Sequence, residues 1–433
     1  MARIGLLLTL VAALAGAGLA ASASGSSRGG PTASAASACA IQPVTSPRDP
    51  SNPLALPTPP GSDPLHGAHF FIDGPRHGVV AQTIENLLGL NNSSYSDSDT
   101  WAAFKAAVIA KLPSVSATIA HEVEEYFKIG DEEETQSVSL YAEGGGYTGI
   151  YNQVTKLLCD NMLADPTPDT VPVFSTFFAY PKGQFCPSAT ALEQWWATFK
   201  DDVNGMVAAI GQRRSVVLIE IDSIGTISCL HGLALRLWLR ELSYEIASFA
   251  TLPHVIAYQE AGSEDETSAP NAARFLVDVG VDKIRGFFTN DTHLNWSSKE
   301  IAWADKVAAR VKKIYAAQKP PVDYTPYYVI NTAQNGRGPL LDRTPGHHGV
   351  EELCNPPGRG LGRIPTADTQ PTWDGHTFPL LDAFLWTGVP GRSHGTTCYP
   401  GAKPAGVFDP RYALELAENA NQQLGPGYPS SPY

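Results

Sequence analysis

The sequence is poor in two kinds of residue, and each shortage excludes a class of protein. Its 433 residues include six cysteines, which is too few for a small fold held together mainly by disulfides. Lysine and arginine total 30 against 43 aspartates and glutamates, so the formal net charge is −13. Proteins that bind nucleic acid use clusters of basic residues to contact phosphates. Nucleic acid is therefore not an expected partner.

An apolar run at the amino terminus is too short to cross a membrane. Residues 1–23 contain one arginine, a Leu/Val/Ala run and small residues near the end, whereas a crossing takes about 20 consecutive apolar residues. This pattern predicts a secretory signal peptide and an extracellular protein with no membrane span. Residues 24–60 are rich in Ser, Ala, Gly and Pro, which predicts a tether or a disordered arm.

The remainder of the chain, residues 61–433, alternates between apolar segments of strand length and amphipathic segments of helix length. Helical patterns include 191–211, 229–249, 269–279 and 299–317. The strand candidates are His69–Ile72, Ser137–Ala142, Pro172–Tyr180, Val216–Asp222, His254–Gln259, Gly286–Thr289, Tyr327–Asn331 and Leu380–Trp386. Eight strands joined by helices predict a parallel sheet that closes into an α/β barrel. No long linker divides this region, so we expect one domain. We also expect a monomer.

One strand candidate is followed directly by an acidic residue at its carboxyl end. Residues 216–221 are apolar on both faces, apart from Glu220, as a buried strand requires. Asp222 follows, at the end of the strand where parallel α/β enzymes place their chemistry. A second apolar strand ends in a Gly/Pro loop, 387–398, that can carry a partner group. The structural alternative is that Asp222 caps the next helix or pairs with an arginine.

Three short patterns suggest other chemistry but lack the context that it requires. Residues 144–149 resemble a dinucleotide fingerprint, yet the next strand ends at Tyr180 without the acidic residue that would hold a ribose. Residues 391–395 resemble a nucleophile elbow, yet no histidine follows His394. Loop histidines such as His66 and His69 lack the helical spacing of a catalytic zinc site. We therefore expect no cofactor and no metal.

Several segments from about Phe70 to Ala417 together resemble glycoside hydrolase family 6, the secreted endoglucanases and cellobiohydrolases that act on β-1,4-glucan. The resemblance depends on their order and spacing, since any one alone is weak. The segments are Leu218–Ser223, Ala257–Gly262, Gly286–Asn290 with Asn295 and Trp296, Tyr328–Gly336, Leu353–Gly362, and Asp382–Trp386 with Pro390 and Gly391.

The resemblance implies a distorted parallel (β/α) barrel with a glycan cleft across the carboxyl ends of its strands. It implies inverting hydrolysis of β-1,4-linked glucan, with Asp222 as the general acid. The side chains expected to bind the sugar are Asn290, Asn295, Trp296, Asn331, Asn335 and Trp386. Export favours disulfides, and the pairs Cys186–Cys229 and Cys354–Cys398 fall where the family has them. Cys39 and Cys159 remain and could pair.

The catalytic base is where this sequence departs from the family. His394 stands in the position of the aspartate often assigned as base, and Gln184–Phe185 replace the Arg-Asp pair before Cys186. A neutral histidine, with an ordinary pKa of about 6.5, could take a proton from water. Alternatively, Glu260 or the acidic run Glu264–Glu266 could reach the cleft, although such a run is also typical of a solvated loop.

Two hypotheses of different classes follow. The first is a secreted enzyme that cleaves β-glucan with Asp222 as acid and an altered base. The second is a protein of the same fold that has lost turnover and binds glycan or cell wall. The position of a base across the cleft from Asp222 would distinguish them.

Overall fold

A seven-stranded parallel sheet forms the centre of the structure. The computed structural model describes residues 63–65, 67–74, 76, 78–90, 95–96, 99–132, 135–139, 145–165, 170–339, 355–369 and 376–426. The strands are β1 (His69–Phe70), β2 (Thr135–Ser139), β3 (Thr170–Val171), β4 (Val173–Phe177), β5 (Ser215–Ile219), β6 (Val255–Glu260), β7 (Gly286–Thr289), β8 (Tyr327–Asn331) and β9 (Leu381–Leu385). The main sheet has the order β2-β4-β5-β6-β7-β8-β9, and each neighbouring pair is parallel.

Helices connect these strands, and several of them pack on one face of the sheet, while others form a separate apolar cluster. They are α1 (Val79–Leu88), α2 (Trp101–Ile109), α3 (Ala117–Gly130), α4 (Gly146–Ala164), α5 (Ala189–Ile210), α6 (Ser223–Ile227), α7 (Gly232–Phe249), α8 (Ala269–Val279), α9 (Ser297–Ala316) and α10 (Pro410–Glu418). No helix in the described part of the chain is both long and apolar enough to span a bilayer.

Alternate side chains of the sheet enter two separate cores. Val216, Leu218 and Tyr258 belong to a cluster on the inner face, whereas Val217, Ile219 and Ala257 belong to a larger cluster shared with the helices. Because successive strand residues point to opposite faces, both faces must be apolar when both are covered. This explains the continuous apolar runs, and the parallel α/β fold predicted from them is confirmed.

The first predicted strand does not join the main sheet. Only His69 and Phe70 are extended there, and they pair with Thr170 and Val171 in a separate two-stranded sheet. Pro172 follows directly and separates β3 from β4, since proline has no backbone N–H to donate. The prediction of eight strands in one closed barrel is therefore wrong in this detail. Among the described residues, the sheet has seven strands, and β2 and β9 form no ladder with each other.

Several sequence predictions fall partly or wholly outside the described residues. These are the signal peptide and arm, residues 1–60, together with Cys39 and Cys354. The predicted disulfide Cys186–Cys229 is present. Cys159 and Cys398 are also disulfide-bonded, but their pairing with Cys39 and Cys354 stays a prediction.

A buried ion pair links the strands on one side of the sheet. Arg285, just before β7, donates from Nε and Nη2 to the two carboxylate oxygens of Asp382 in β9, each at 2.8 Å. Tyr258 in β6 also donates to this carboxylate at 2.6 Å, and Arg285 stacks on the ring of Tyr327 in β8. The side chains of Arg285 and Asp382 are 8% and 1% exposed. Burying both charges carries a desolvation penalty in free energy, which is offset only while the two groups keep their hydrogen-bonded geometry.

The change Asp382→Asn should therefore destabilise the fold strongly. It leaves the Arg285 guanidinium buried without a counter-charge, for which the expected loss is about 3–5 kcal/mol in the free energy of unfolding. Urea unfolding measures this. The matched control is Glu418→Gln, which removes the carboxylate of an exposed pair with His121 and should change stability by less than about 1 kcal/mol. Equal effects of the two changes would contradict this account.

Candidate active site

The end of β5 carries Asp222 on a backbone turn that few residues adopt. Glu220 and Asp222 both have positive φ angles, 52° and 60°, a left-handed conformation that is costly for a residue with a side chain. Asp222 stands at the amino end of α6, yet its carboxylate forms no capping hydrogen bond there. The capping alternative raised by the sequence is therefore wrong.

The carboxylate of Asp222 is instead held by the loop after β7. The hydroxyl of Thr292 donates to Asp222 Oδ1 at 3.0 Å. Burial raises the pKa of Asp222 above its ordinary value, while the hydrogen bond from Thr292 and the charge of His293 oppose this. Because burial is the largest of these effects, the proton on Asp222 persists to higher pH than on a solvated aspartate. This is the property required of a general acid.

Glu260, at the end of β6, forms hydrogen bonds with the turn that carries Asp222. Its Oε2 accepts from Ile224 N at 2.8 Å and from the hydroxyl of Ser223 at 3.1 Å, and its Oε1 accepts from Gly262 N. Glu260 is 2% exposed, and burial followed by the charge of Glu266 raises its pKa well above the ordinary value. Both oxygens are thus engaged within the protein, and the side chain positions α6 immediately after Asp222.

The acidic run after β6 turns inward toward a histidine that the sequence analysis did not single out. His293 Nδ1 lies 3.0 Å from Asp265 Oδ1, and its Nε2 lies 3.7 Å from Glu266 Oε2. The side chains of Asp265 and Glu266 are 14% and 27% exposed, so these two do not behave as a solvated loop.

Hydrogen bonding sets the charge of Asp265. Burial would raise its pKa, but His293, together with hydrogen bonds from Asn295 and Ser263, outweighs burial and lowers the pKa to about 2. In Glu266 burial prevails and raises the pKa, although His293 opposes it. Asp265 is therefore a permanent anion beside His293, and Glu266 is a weaker acid at the same edge of the sheet.

The four predicted sugar-binding asparagines hold the loops of this edge together. Asn290 donates to Asn331 O at 3.0 Å, and Asn331 donates to Asn290 O at 3.0 Å and to Asp291 O at 2.7 Å. Asn295 donates to Asp265 and Glu300, and Asn335 donates to Asn295 O at 2.8 Å. All four are at most 3% exposed. Direct contact of these amides with a sugar stays a prediction.

The two predicted tryptophans differ in their surroundings. Trp386 is 1% exposed, lies in an apolar core with Val389 and Tyr412, and donates its indole N–H to Arg363 O. It has no face available for stacking, so its prediction as a sugar-binding residue is wrong. Trp296 precedes α9 and is half-buried, with its indole packed against Gly338. Its contact with sugar remains a prediction.

His394 lies in the loop after β9 and is fixed by Asn355. Its backbone N–H donates to Asn355 Oδ1 at 2.7 Å, and its Nδ1 faces Asn355 N at 3.5 Å. Burial, followed by the charge of His293, lowers the pKa of His394 to about 4. The imidazole is therefore neutral at neutral pH, and its affinity for a proton is low.

Comparisons with known proteins agree with this architecture. Residues 183–420, more than half of the chain, match the family model described as glycosyl hydrolases family 6. Endoglucanase 1 of Streptomyces sp. (strain KSM-9) is 27% identical over 288 residues, which are 63% of this chain and 67% of that protein. Endoglucanase A of Thermobispora bispora is 41% identical over 92 residues, 21% of this chain and 16% of its own length.

Solved structures show the same fold at low sequence identity. The endoglucanase Cel6 from Mycobacterium tuberculosis superposes with a TM-score of 0.60 at 21% identity, covering 83% of this chain and 99% of its own. The endoglucanase CEL6B from Humicola insolens gives a TM-score of 0.56 at 16% identity, with 83% and 99% coverage. The match over residues 183–420, together with these folds, shows that the chain belongs to glycosyl hydrolases family 6.

Proposed function

We propose that this protein hydrolyses β-1,4-linked glucan with inversion, and that Asp222 is the general acid. The observation that carries the proposal is the state of the Asp222 carboxyl group. This carboxyl group forms no capping hydrogen bond with α6, accepts a hydrogen bond from Thr292, and has a pKa raised by burial. Family membership supplies the reaction class, and the endoglucanases among the relatives indicate a β-glucan such as cellulose.

The mechanism needs two proton transfers on opposite sides of one sugar ring. Asp222 gives its proton to the glycosidic oxygen as the C1–O bond breaks, and a water molecule attacks C1 from the other face. A base removes the proton from that water. The sequence suggests His394 for this role, and its imidazole is neutral, as a base must be. Glu260 acts by positioning the turn, since both its oxygens are engaged.

We also propose that the protein is secreted. The signal-like residues 1–23 support this, as does the Cys186–Cys229 disulfide, because such bonds persist in oxidising compartments. The disulfide joins the loop after β4 to the segment after α6, so it also supports the region that carries Asp222. A monomeric state remains a prediction.

The first test is reducing-sugar release from carboxymethylcellulose and mixed-linkage β-glucan by the purified chain. Asp222→Asn should lower the rate by roughly 10²–10⁴-fold, the usual contribution of a general acid. The matched control is Glu193→Gln, which changes an exposed acid on α5 and should keep the wild-type rate. The first-formed product should be the α-anomer, which NMR detects.

The same assay tests the alternative of a glycan-binding protein without turnover. That alternative is motivated by His394, which stands in the position of the aspartate often assigned as the family's base. Glucan binding without sugar release by the wild-type chain would favour it and refute the enzymatic proposal. Unchanged release by Asp222→Asn would refute the role of Asp222 while leaving hydrolysis intact.

The hydrogen bond from Thr292 gives a second prediction, concerning pH dependence. A donor to a carboxylate stabilises its ionised form and lowers its pKa, so Thr292→Val should raise the pKa of Asp222. The acid then keeps its proton to higher pH, and the alkaline limb of the kcat/KM profile should move to higher pH. A limb that stays in place, or moves to lower pH, would contradict the assignment of that limb to Asp222.

A further inference from the structure

Asp291 is a second carboxyl group beside the acid, and neither sequence motif nor family pattern singled it out. It follows Asn290, whose φ of 65° turns the chain at the end of β7. The next residue, Thr292, donates to Asp222. β6 is the one strand between β5 and β7, and adjacent strands lie about 4.8 Å apart, which puts the two strand ends roughly 10 Å apart. Carboxyl groups of an inverting pair stand about 6.5–9.5 Å apart.

The backbone and the side chain of Asp291 contact residues of the two strands on its other side. Asn331, from β8, donates to Asp291 O at 2.7 Å and accepts from Thr387 N at 3.2 Å. The hydroxyl of Thr387, just after β9, donates to the Asp291 carboxylate. Asp291 is therefore held between Asp222 on one side and the loop that leads to His394 on the other.

One oxygen of Asp291 forms no hydrogen bond within the described part of the chain. Its Oδ2 is buried, and no described residue forms a hydrogen bond with it. A buried polar atom without a partner costs about 1–3 kcal/mol, and such atoms call for an explanation such as a catalytic role. A water molecule that reacts at this position would supply the missing hydrogen bond.

The surrounding charges suit a proton acceptor. Burial and then the charge of Asp222 raise the pKa of Asp291 to about 7, while Thr387 and His293 lower it and Glu266 raises it. The charge of Asp222 thus contributes to the proton affinity of Asp291, and a carboxylate with raised proton affinity is better able to take a proton from water.

The other candidates for this role are less suitable. His394 binds a proton weakly, with its pKa lowered to about 4 by burial and by His293, and its Nδ1 faces Asn355 N. Glu260 uses both oxygens within the protein. Glu266 faces His293 and lies in the loop that follows β6. β6 is itself the strand between β5, which precedes Asp222, and β7, which precedes Asp291.

From this geometry we propose that Asp291 is the catalytic base, with its Oδ2 accepting the proton of the attacking water. The inference rests on the proposed hydrolysis. An O–H bond of water breaks, its oxygen bonds to C1, and its proton passes to Asp291. The C1–O bond to the leaving glucan breaks, and that oxygen takes the proton of Asp222. Solvent then restores both carboxyl groups.

A substrate that needs a base but no acid separates the two roles. β-Cellobiosyl fluoride has this property, because fluoride leaves without being protonated. Asp222→Asn should keep fluoride release within about tenfold of wild type while losing activity on polymeric glucan. Asp291→Asn should lose roughly 10²–10⁴-fold on both substrates. Glu193→Gln, as the control, should match wild type on both.

Chemical rescue distinguishes the loss of a catalytic base from a loss of activity through misfolding. With the smaller Asp291→Ala, added azide should attack C1 in place of water and form α-cellobiosyl azide from the β-fluoride, a product that requires a folded site. Fluoride release by Asp291→Asn at the wild-type rate would overturn the proposal. So would a loss with no azide product in Asp291→Ala, or azide rescue in His394→Ala but not in Asp291→Ala.

The outcomes also separate this inference from the proposed function. A wild-type chain that releases neither sugar nor fluoride would refute hydrolysis itself, and the role of Asp291 with it. A wild-type chain that is active, with Asp291→Asn equally active, would refute only the assignment of the base. In that case His394→Gln, assayed in parallel, should show the loss on the fluoride substrate.

Discussion

Two buried carboxyl groups hold the turn at the end of β5, and the candidate active site depends on that turn. Glu220 accepts from the backbone N–H groups of Phe178 at 2.6 Å and Ala179 at 3.1 Å, after β4. Glu260, from the side of β6, accepts from the backbone N–H of Ile224 and from the hydroxyl of Ser223, the two residues that follow Asp222. The left-handed residues Glu220 and Asp222 cost of order 1–3 kcal/mol each. Hydrogen bonds that these carboxyl groups accept from neighbouring backbone N–H groups offset this cost.

The sequence predicts the strands well because both faces of the sheet are buried. Val216–Ile219 alternate between two apolar cores, so the strand is visible as an unbroken apolar run. The same reasoning fails for β1, since two residues are too few for a pattern to decide which sheet they join. It also fails for Trp386, because a tryptophan at a strand end is equally suited to an apolar core and to a sugar surface.

The site is less predictable, because its contacts join distant parts of the chain. Asp222 stands out as a single acid at the end of an apolar strand, but Thr292 and His293 lie in a loop without a recognisable pattern. The significance of Asp291 comes from its contacts with Asn331 and Thr387, which belong to two other strands or the loops after them. A signal was available in the position of Asp291 just after an apolar strand, the same position that distinguishes Asp222.

The charge of His293 acts on several titratable groups of the candidate active site. Its charge lowers the pKa of Asp222, Glu266 and Asp291, and also that of His394. Asp265 holds it in place at 3.0 Å and stays ionised, with a pKa of about 2 set by this contact and its hydrogen bonds against burial. Without the charge of His293, burial would raise the pKa of Asp222 and Asp291 further. In the proposed mechanism Asp222 must hold a proton while Asp291 must be able to accept one, and the charge of His293 favours the second condition because it lowers the pKa of Asp291.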